Sequence, residues 1–362
     1  MSSPHAEAVQ QAVRTMAKVL EGSLSVDLEG EVQDSVVAVG DGSGRIVAIN
    51  ALAHLGSAAS ALAGIVAAFP AGLQPGDAVV CNDPYSGGTH LLDLTLCLAG
   101  DVGASRVLLL SRLHIRDIGG EVPGGFHDSA REVWAEGVRL PPLLVWRRGT
   151  FDDPTAGTVL LNSRFPEDVR NSINLMHHAC NDGLGTLASA SPSLDLAGPL
   201  ADGTIASAAL LQRATTDVGS GEASFEHPGG TSVVRVRASK SGDSLRLDLT
   251  ESDPRGEGPY NAALGLTRTA SAWPVASAMS QLDLGPVNGA LLEHLEIVTE
   301  PGSVVDAAFP SAVGYGPFGP GPATVRAVAA ALAPMFASIN FDNADPGAVS
   351  GVVPREVGAN SG

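Results

Sequence analysis

NDPYSGGTHLLD, residues 82–93, is the stretch on which the reading of this chain turns. Pro84 and the pair Gly87-Gly88 demand a special backbone path, and the stretch closes on the tetrad His90-Leu-Leu-Asp93. Leu91 to Leu98 and Arg106 to Ile115 read as two apolar strands, with Ala99 to Ala104 as the loop between them. A second tetrad, His114-Ile-Arg-Asp117, ends the second strand. If the loop centres on roughly residues 102–103, hairpin pairing sets His90 and Asp93 opposite roughly residues 111–116. His114 falls inside that window, so three side chains converge at one end of the hairpin.

Imidazole nitrogen with carboxylate oxygen is the donor mixture that Zn, Mn or Fe takes in a site with open positions. His90, Asp93 and His114 are therefore candidate metal ligands. The competing reading is a pair of hydrogen-bonded His–Asp contacts that hold loops together, since buried polar groups need partners in any case. Asp117 reads as a fourth ligand or as an acceptor that orients His114. Gly119 and Gly120, like Gly87 and Gly88, let backbone approach a ligand, or else make ordinary turns. No GxxxxGK[ST] phosphate loop and no GxSxG occurs. His177-His178 lies on an expected helix without a spaced partner and reads as a surface or core pair.

Outward from the hairpin, Ser3–Leu20 and Phe165–Ala190 show helical spacing, as does the Ala-rich run Leu55–Phe69, which Pro70 stops. VVAVG and RIVAIN flank the turn GDGSG, and AVVCN follows the turn Gln74-Pro75-Gly76-Asp77. DSAREVWAEG, residues 128–137, is helix-like. TSVVRVRAS and DSLRLDLTES alternate around Lys240-Ser241-Gly242-Asp243, which predicts a hairpin. Thr267–Leu282 reads as a helix that Pro274 should kink or divide, and Ala323–Leu332 as another helix. This mixture of β-hairpins and helices without regular βαβ order predicts an α+β fold in two domains. The chain turns small and polar near Leu184–Asp202, where the boundary is placed.

The net charge of −18, with 21 basic residues against 39 acidic, makes nucleic acid and anionic membrane poor partners. No apolar run approaches the roughly 20 residues of a membrane span. No signal peptide is apparent, and Cys81, Cys97 and Cys180, odd in number and without CxxC spacing, suit reduced thiols in the cytoplasm.

The motifs together resemble those of the hydantoinase B/oxoprolinase family. NDPYSGGTHLLDLTL is similar to its NDPY-x-GGTH-x-x-D signature, LHIRDIGGEVPGG to its H-x-x-DIGG-x-x-PG element, and AEGVRLPPLLV to its EG-x-R-x-PP element. DLTESDPRGEGPYNAALGLT and GPVNGALLEHLEIVTEPGSVVDAAFPSAVG continue the likeness in order, from about Leu20 to about Leu332. With the boundary placed near Leu184–Asp202, the chain divides into a hydantoinase B-like metal-site domain over 1–190, a β-rich domain over 191–335, and, where periodicity is lost, a tail or interface arm over 336–362. The resemblance implies a subunit of an N-methylhydantoinase, 5-oxoprolinase or acetone/acetophenone-type carboxylase, acting on a small molecule within a hetero-oligomer. A hydantoinase A-type partner would bind ATP and activate the substrate. One divalent metal (Mn, Zn or Fe) would sit on His90, Asp93 and His114. Asp117 would orient His114 or act as a base, and Asn82, Asp83, Gly119 and Gly120 would shape the substrate site. Hydrolysis of a cyclic amide is the leading activity, with carboxylation and a non-catalytic scaffold role as alternatives. Two departures stand out: the family's GD-x-x-AQ element reads PEDVRNSIN here, and its glycine-rich C-terminal third does not follow Ala333. Either another subunit supplies that third or the activity is altered.

Overall fold

The computed structural model describes residues 3–24, 35–190, 193–341 and 343–349. Strands β1 (Ser35–Asp41), β2 (Ile46–Ile49), β3 (Ala78–Cys81), β4 (Asp93–Val102), β5 (Ser105–His114), β6 (Leu143–Arg147) and β7 (Thr150–Phe151) form one antiparallel sheet in the order β2-β1-β5-β4-β3-β6-β7. A second sheet orders β8 (Val218–His227), β9 (Gly230–Ser241), β10 (Ser244–Asp248) and β11 (Leu295–Val298) as β11-β10-β9-β8, with β10 and β11 parallel. The helices are α1 (Pro4–Leu24), α2 (Leu55–Ala68), α3 (Val133–Glu136), α4 (Asp153–Leu160), α5 (Pro166–Ala190), α6 (Ala197–Leu211), α7 (Leu264–Gln281), α8 (Ala290–Glu293) and α9 (Pro320–Leu332). The fold is α+β, a mixture of helices and largely antiparallel sheets.

β4 and β5 pair from Asp93↔His114 to Val102↔Ser105, which leaves Gly103-Ala104 as a two-residue turn. The strands thus extend through residues expected in the loop. Their side chains alternate between two apolar layers. Leu94, Leu96, Leu98, Leu109 and Leu113 join Val13 and Met16 of α1 and Ile173 and Met176 of α5. Cys97, Ala99, Leu108 and Leu110 join Leu55, Leu62 and Ile65 of α2. Coverage of both faces explains why these strands read as apolar runs rather than as an alternation. The second layer is continuous with residues of α7, α9 and β9–β11, so one cluster combines side chains from Val36 to Phe341. The compositional change near Leu184–Asp202 coincides with the end of α5 and the start of α6.

Four elements depart from the sequence reading. DSAREVWAEG is helical only over α3; Glu132 bridges Ser311 and the Val133 N–H donates to Pro310 O, so the neighbouring loop takes the backbone instead. α7 runs through Pro274 as one element, held by packing against α2 and α9. α6 and β8 had no foreseen counterpart: VGSGEASFEH buries only Phe225, too little for a strand signal. Of the expected tail, Phe341, Ala344 and Val349 are buried and the Trp273 indole donates to Asp345 O; residues 350–362 lie outside the described residues.

What positions the site is the loop that precedes β4. Gly87 has φ +105° and approaches α2 so closely that a Cβ there would lie 2.2 Å from Ser60 O. On the other side, a Cβ on Gly265 of α7 would lie 2.4 Å from Gly88 O. The paired glycines wedge this loop between two helices and so fix where Thr89 and His90 stand.

Candidate metal centre

Asp93 opens β4 and His114 closes β5, directly opposite each other, while His90 stands one turn before β4, with the Asp93 N–H donating to His90 O. His90 and Asp93 are buried; the His114 side chain is 31% exposed, which makes it the open side of the cluster. Asp93 Oδ1 lies 3.4 Å from His90 Nε2 and 3.4 Å from His114 Nδ1. One ligand atom from each of the three residues falls within 4.8 Å of the others. A 3.4 Å separation is long for a charge-assisted hydrogen bond, which prefers about 2.7–2.9 Å. It matches the edge of about 3.4 Å between two donors that share an ion at about 2.1 Å in a tetrahedral arrangement. The donor set, two imidazoles and a carboxylate, fits Zn, Mn or Fe.

Electrostatics prepares these groups for that role. Burial pushes His90 down to about 4, against the opposing pull of Asp93, so its imidazole is neutral at pH 7 and offers a lone pair. Burial alone would raise Asp93, but the adjacent His90 and His114 and the Arg112 charge hold it well below the usual carboxylate range. Thr89 Oγ1 donates to Asp93 Oδ2, which leaves Oδ1 turned to the imidazoles.

The remaining residues singled out by sequence brace the site rather than line it. Asp117 is fully buried, and its carboxylate accepts from Gly119 N (2.9 Å), Gly124 N (3.2 Å), Arg164 N (2.8 Å) and Arg164 Nη1 (2.9 Å). Burial would raise its pKa, yet these donors hold it low. Those four donors come from the loop and from Arg164; none is His114. Asn82 is buried and spans three backbone groups, donating to Leu91 O and Val138 O and accepting from Leu140 N. Asp83 caps a short 3-10 turn through Tyr85 N and Ser86 Oγ, with the Arg139 guanidinium 3.8 Å away. Gly119 and Gly120 have φ +85° and +88°, and a Cβ on either would lie 2.7 Å from backbone, of Asn162 and Ala135 respectively. Their close approach is to protein, not to open space. His177, half-buried on α5, stacks on Trp146 at 3.9 Å and is not one of the three clustered residues.

Sequence reasoning missed four residues. Thr89 sits inside the quoted motif, and its hydroxyl next to a ligand was the available signal. Arg112 is buried in the apolar run of β5, on the same face as His114 and opposite Thr95, to whose Oγ1 it donates at 2.9 Å. Strand parity alone places Asp93, Thr95, Arg112 and His114 together. Phe126 stacks near-parallel to His114 (5.7 Å, 10°) and lies 5.9 Å from His90. Glu136, buried on α3, accepts from Val313 N (3.1 Å) and Gly314 N (2.7 Å) and so ties α3 to the loop that carries Tyr315.

A family model described as Hydantoinase B/oxoprolinase matches residues 5–353. Caprolactamase subunit beta of Pseudomonas jessenii is 32% identical over 133 residues, which is 36% of this chain and 22% of that protein. A 5-oxoprolinase of Saccharomyces cerevisiae is 30% identical over 146 residues, 39% of this chain and 11% of that one. Among solved structures, the ATP-dependent caprolactamase of Pseudomonas jessenii superposes with a TM-score of 0.83 at 22% identity, over 91% of this chain and 59% of that one. Acetone carboxylase in its nucleotide-free form gives 0.75 at 15% identity, over 94% and 47%. The chain thus spans less than two thirds of each of these relatives.

Proposed function

Because the chain belongs to the hydantoinase B/oxoprolinase family, we propose that it is the metal-holding component of an ATP-dependent enzyme that opens a cyclic amide. A hydantoinase A-type partner would bind ATP and activate the substrate, the two working as a cytoplasmic hetero-oligomer. The observation that carries the reading is the convergence of His90, Asp93 and His114 on one face at the end of the β4–β5 hairpin. Two relatives at 30–32% identity are named for caprolactam and 5-oxoproline, both cyclic amides, which favours ring hydrolysis over carboxylation. The three cysteines are free and buried, in keeping with a reducing compartment. Among the described residues no helix is long and apolar enough to cross a membrane.

A divalent metal on these three residues would supply Lewis acidity for the carbonyl under attack. The chain's own groups do the rest. Neutral His90 and anionic Asp93 keep the donor set in its binding form at pH 7. Thr89 fixes the Asp93 carboxylate, and Asp117 fixes the loop that leads to Phe126. Phe126 covers one side of His114 and limits water there. The test is an assay of the chain co-purified with its ATP-binding partner, with ε-caprolactam or 5-oxoproline plus ATP, and the ring-opened amino acid measured by mass spectrometry. His114→Ala is expected to cut turnover at least roughly a hundredfold; turnover at the wild-type rate in that variant refutes the proposal.

A further inference from the structure

Aromatic side chains are scarce in this chain, 3 Trp, 3 Tyr and 9 Phe in 362 residues. A connected run of them nevertheless starts on the two histidines. Phe126 touches both imidazoles; Tyr315 and Phe318 meet Phe126 edge-on at 5.6 and 5.5 Å; Tyr260 lies 4.8 Å from Tyr315. These rings are not core. Phe318 is 45% exposed, Phe126, Tyr260 and Tyr315 are half-buried, and Phe126 stacks on the part-exposed His114. An aromatic face left in water beside a candidate reaction centre is surface available to a ligand.

We propose that Phe126, Tyr315 and Phe318 form the substrate-recognition wall of the site, and that this wall selects an uncharged, compact ring over a ring that carries a carboxylate. The inference rests on the hydrolase reading above for the identity of the site, and adds which residues choose the substrate and by what chemistry.

Charge decides against the carboxylate. The ionisable groups that act on the Tyr315 hydroxyl are Tyr260, Asp128 and Glu136, none of them a cation. The arginines of the adjoining segments are engaged elsewhere: Arg164 with Asp117 at 2.9 Å, Arg131 with Glu257 at 3.3 Å, Arg116 with Asp168 at 3.5 Å, and Arg139 with Asp83 at 3.8 Å. Arg139 also lies over Phe309, and together with Arg255 it acts on Tyr85. Arg112, whose charge acts on Asp93, is buried and donates to Thr95 and Ser57. Among the described residues no cation lies over the rings of the wall, so with a chain charge of −18 behind it the wall disfavours an anionic ring. A neutral lactam suits it: the methylenes lie against the ring faces and the amide is left for the histidine–aspartate end.

Ligand-observed saturation-transfer NMR on the full chain tests this, with ε-caprolactam and 5-oxoproline as probes at neutral pH in EDTA, so that neither metal nor partner is needed. Caprolactam should receive saturation and 5-oxoproline should bind at least roughly tenfold more weakly. Phe318→Ala, chosen because the side chain is exposed, should weaken caprolactam roughly three- to tenfold. Phe126→Leu, which keeps bulk and loses the ring face, should do the same. Absent saturation of caprolactam, equal binding of the two probes, or unchanged affinity in both variants overturns the proposal. Intact caprolactam binding with no turnover in the partnered enzyme would instead sink the hydrolase reading and leave the wall standing.

Discussion

His90-Leu-Leu-Asp93 and His114-Ile-Arg-Asp117 have the same residues at the same spacing and opposite fates. The first tetrad crosses from a wedged loop into a strand, and the pairing Asp93↔His114 turns its carboxylate toward both histidines. The second leaves a strand for a glycine loop, and its carboxylate is taken up by the backbone of Gly119, Gly124 and Arg164 and by the Arg164 guanidinium. Spacing offers the residues; what the neighbouring backbone needs decides how each is used. One carboxylate is left free to serve a metal, and the other is consumed in building the loop that ends at Phe126.

The contrast breaks most sharply at Asp117. Asp117→Ala should cost about 3 kcal/mol of stability, because it strands buried N–H donors and the Arg164 charge. Chemical denaturation reads the loss; a folded variant that still holds its metal supports a bracing role, and one of native stability that has lost metal makes Asp117 a ligand. Glu136 sharpens the comparison, since it also serves backbone N–H groups but burial wins and pushes it up from 4.5 to about 7. A folded-state value above the unfolded one means that this contribution to stability is complete below about 4.5 and is lost as pH rises through about 7. Glu136→Gln should flatten that decline, by on the order of 1–3 kcal/mol between pH 5 and pH 8; a variant with the wild-type slope would show that Glu136 ionises freely. The smallest effect is expected at Thr89, where Thr89→Val removes the hydroxyl that holds Asp93 and should weaken metal binding about tenfold. Calorimetric titration with Zn or Mn checks it, and unchanged affinity would make the contact incidental.

The hairpin was legible because its strands are apolar on both faces and its ends are marked by polar residues; register then followed from the turn, to within a residue of Gly103-Ala104. α1, α5 and the β9–β10 hairpin were legible for the same reason, a clean period of 3.6 or 2. β8 was not, because the face it packs on α9 is made of Gly219, Gly221 and Ala223 as well as Phe225, too small for an apolar alternation. The segment before α3 was not, because pairing with Ser311 and Pro310 overrides a helical pattern. In the site, the ligand types and spacing were on the page, but the direction of each side chain was not. Asp117, Asn82 and Gly119-Gly120 look alike in sequence whether they face a ligand or a neighbouring backbone. Phe126, Tyr315 and Phe318 are distant in sequence and meet only in the folded chain.

Metal content decides the central claim. Elemental analysis of the purified chain from metal-replete cells, alone and with its ATP-binding partner, should find about one Mn, Zn or Fe per chain in the wild type and in Asp117→Asn, and almost none in His90→Ala. Metal-free wild type in both preparations, or a His90→Ala variant that keeps its ion, would contradict the account.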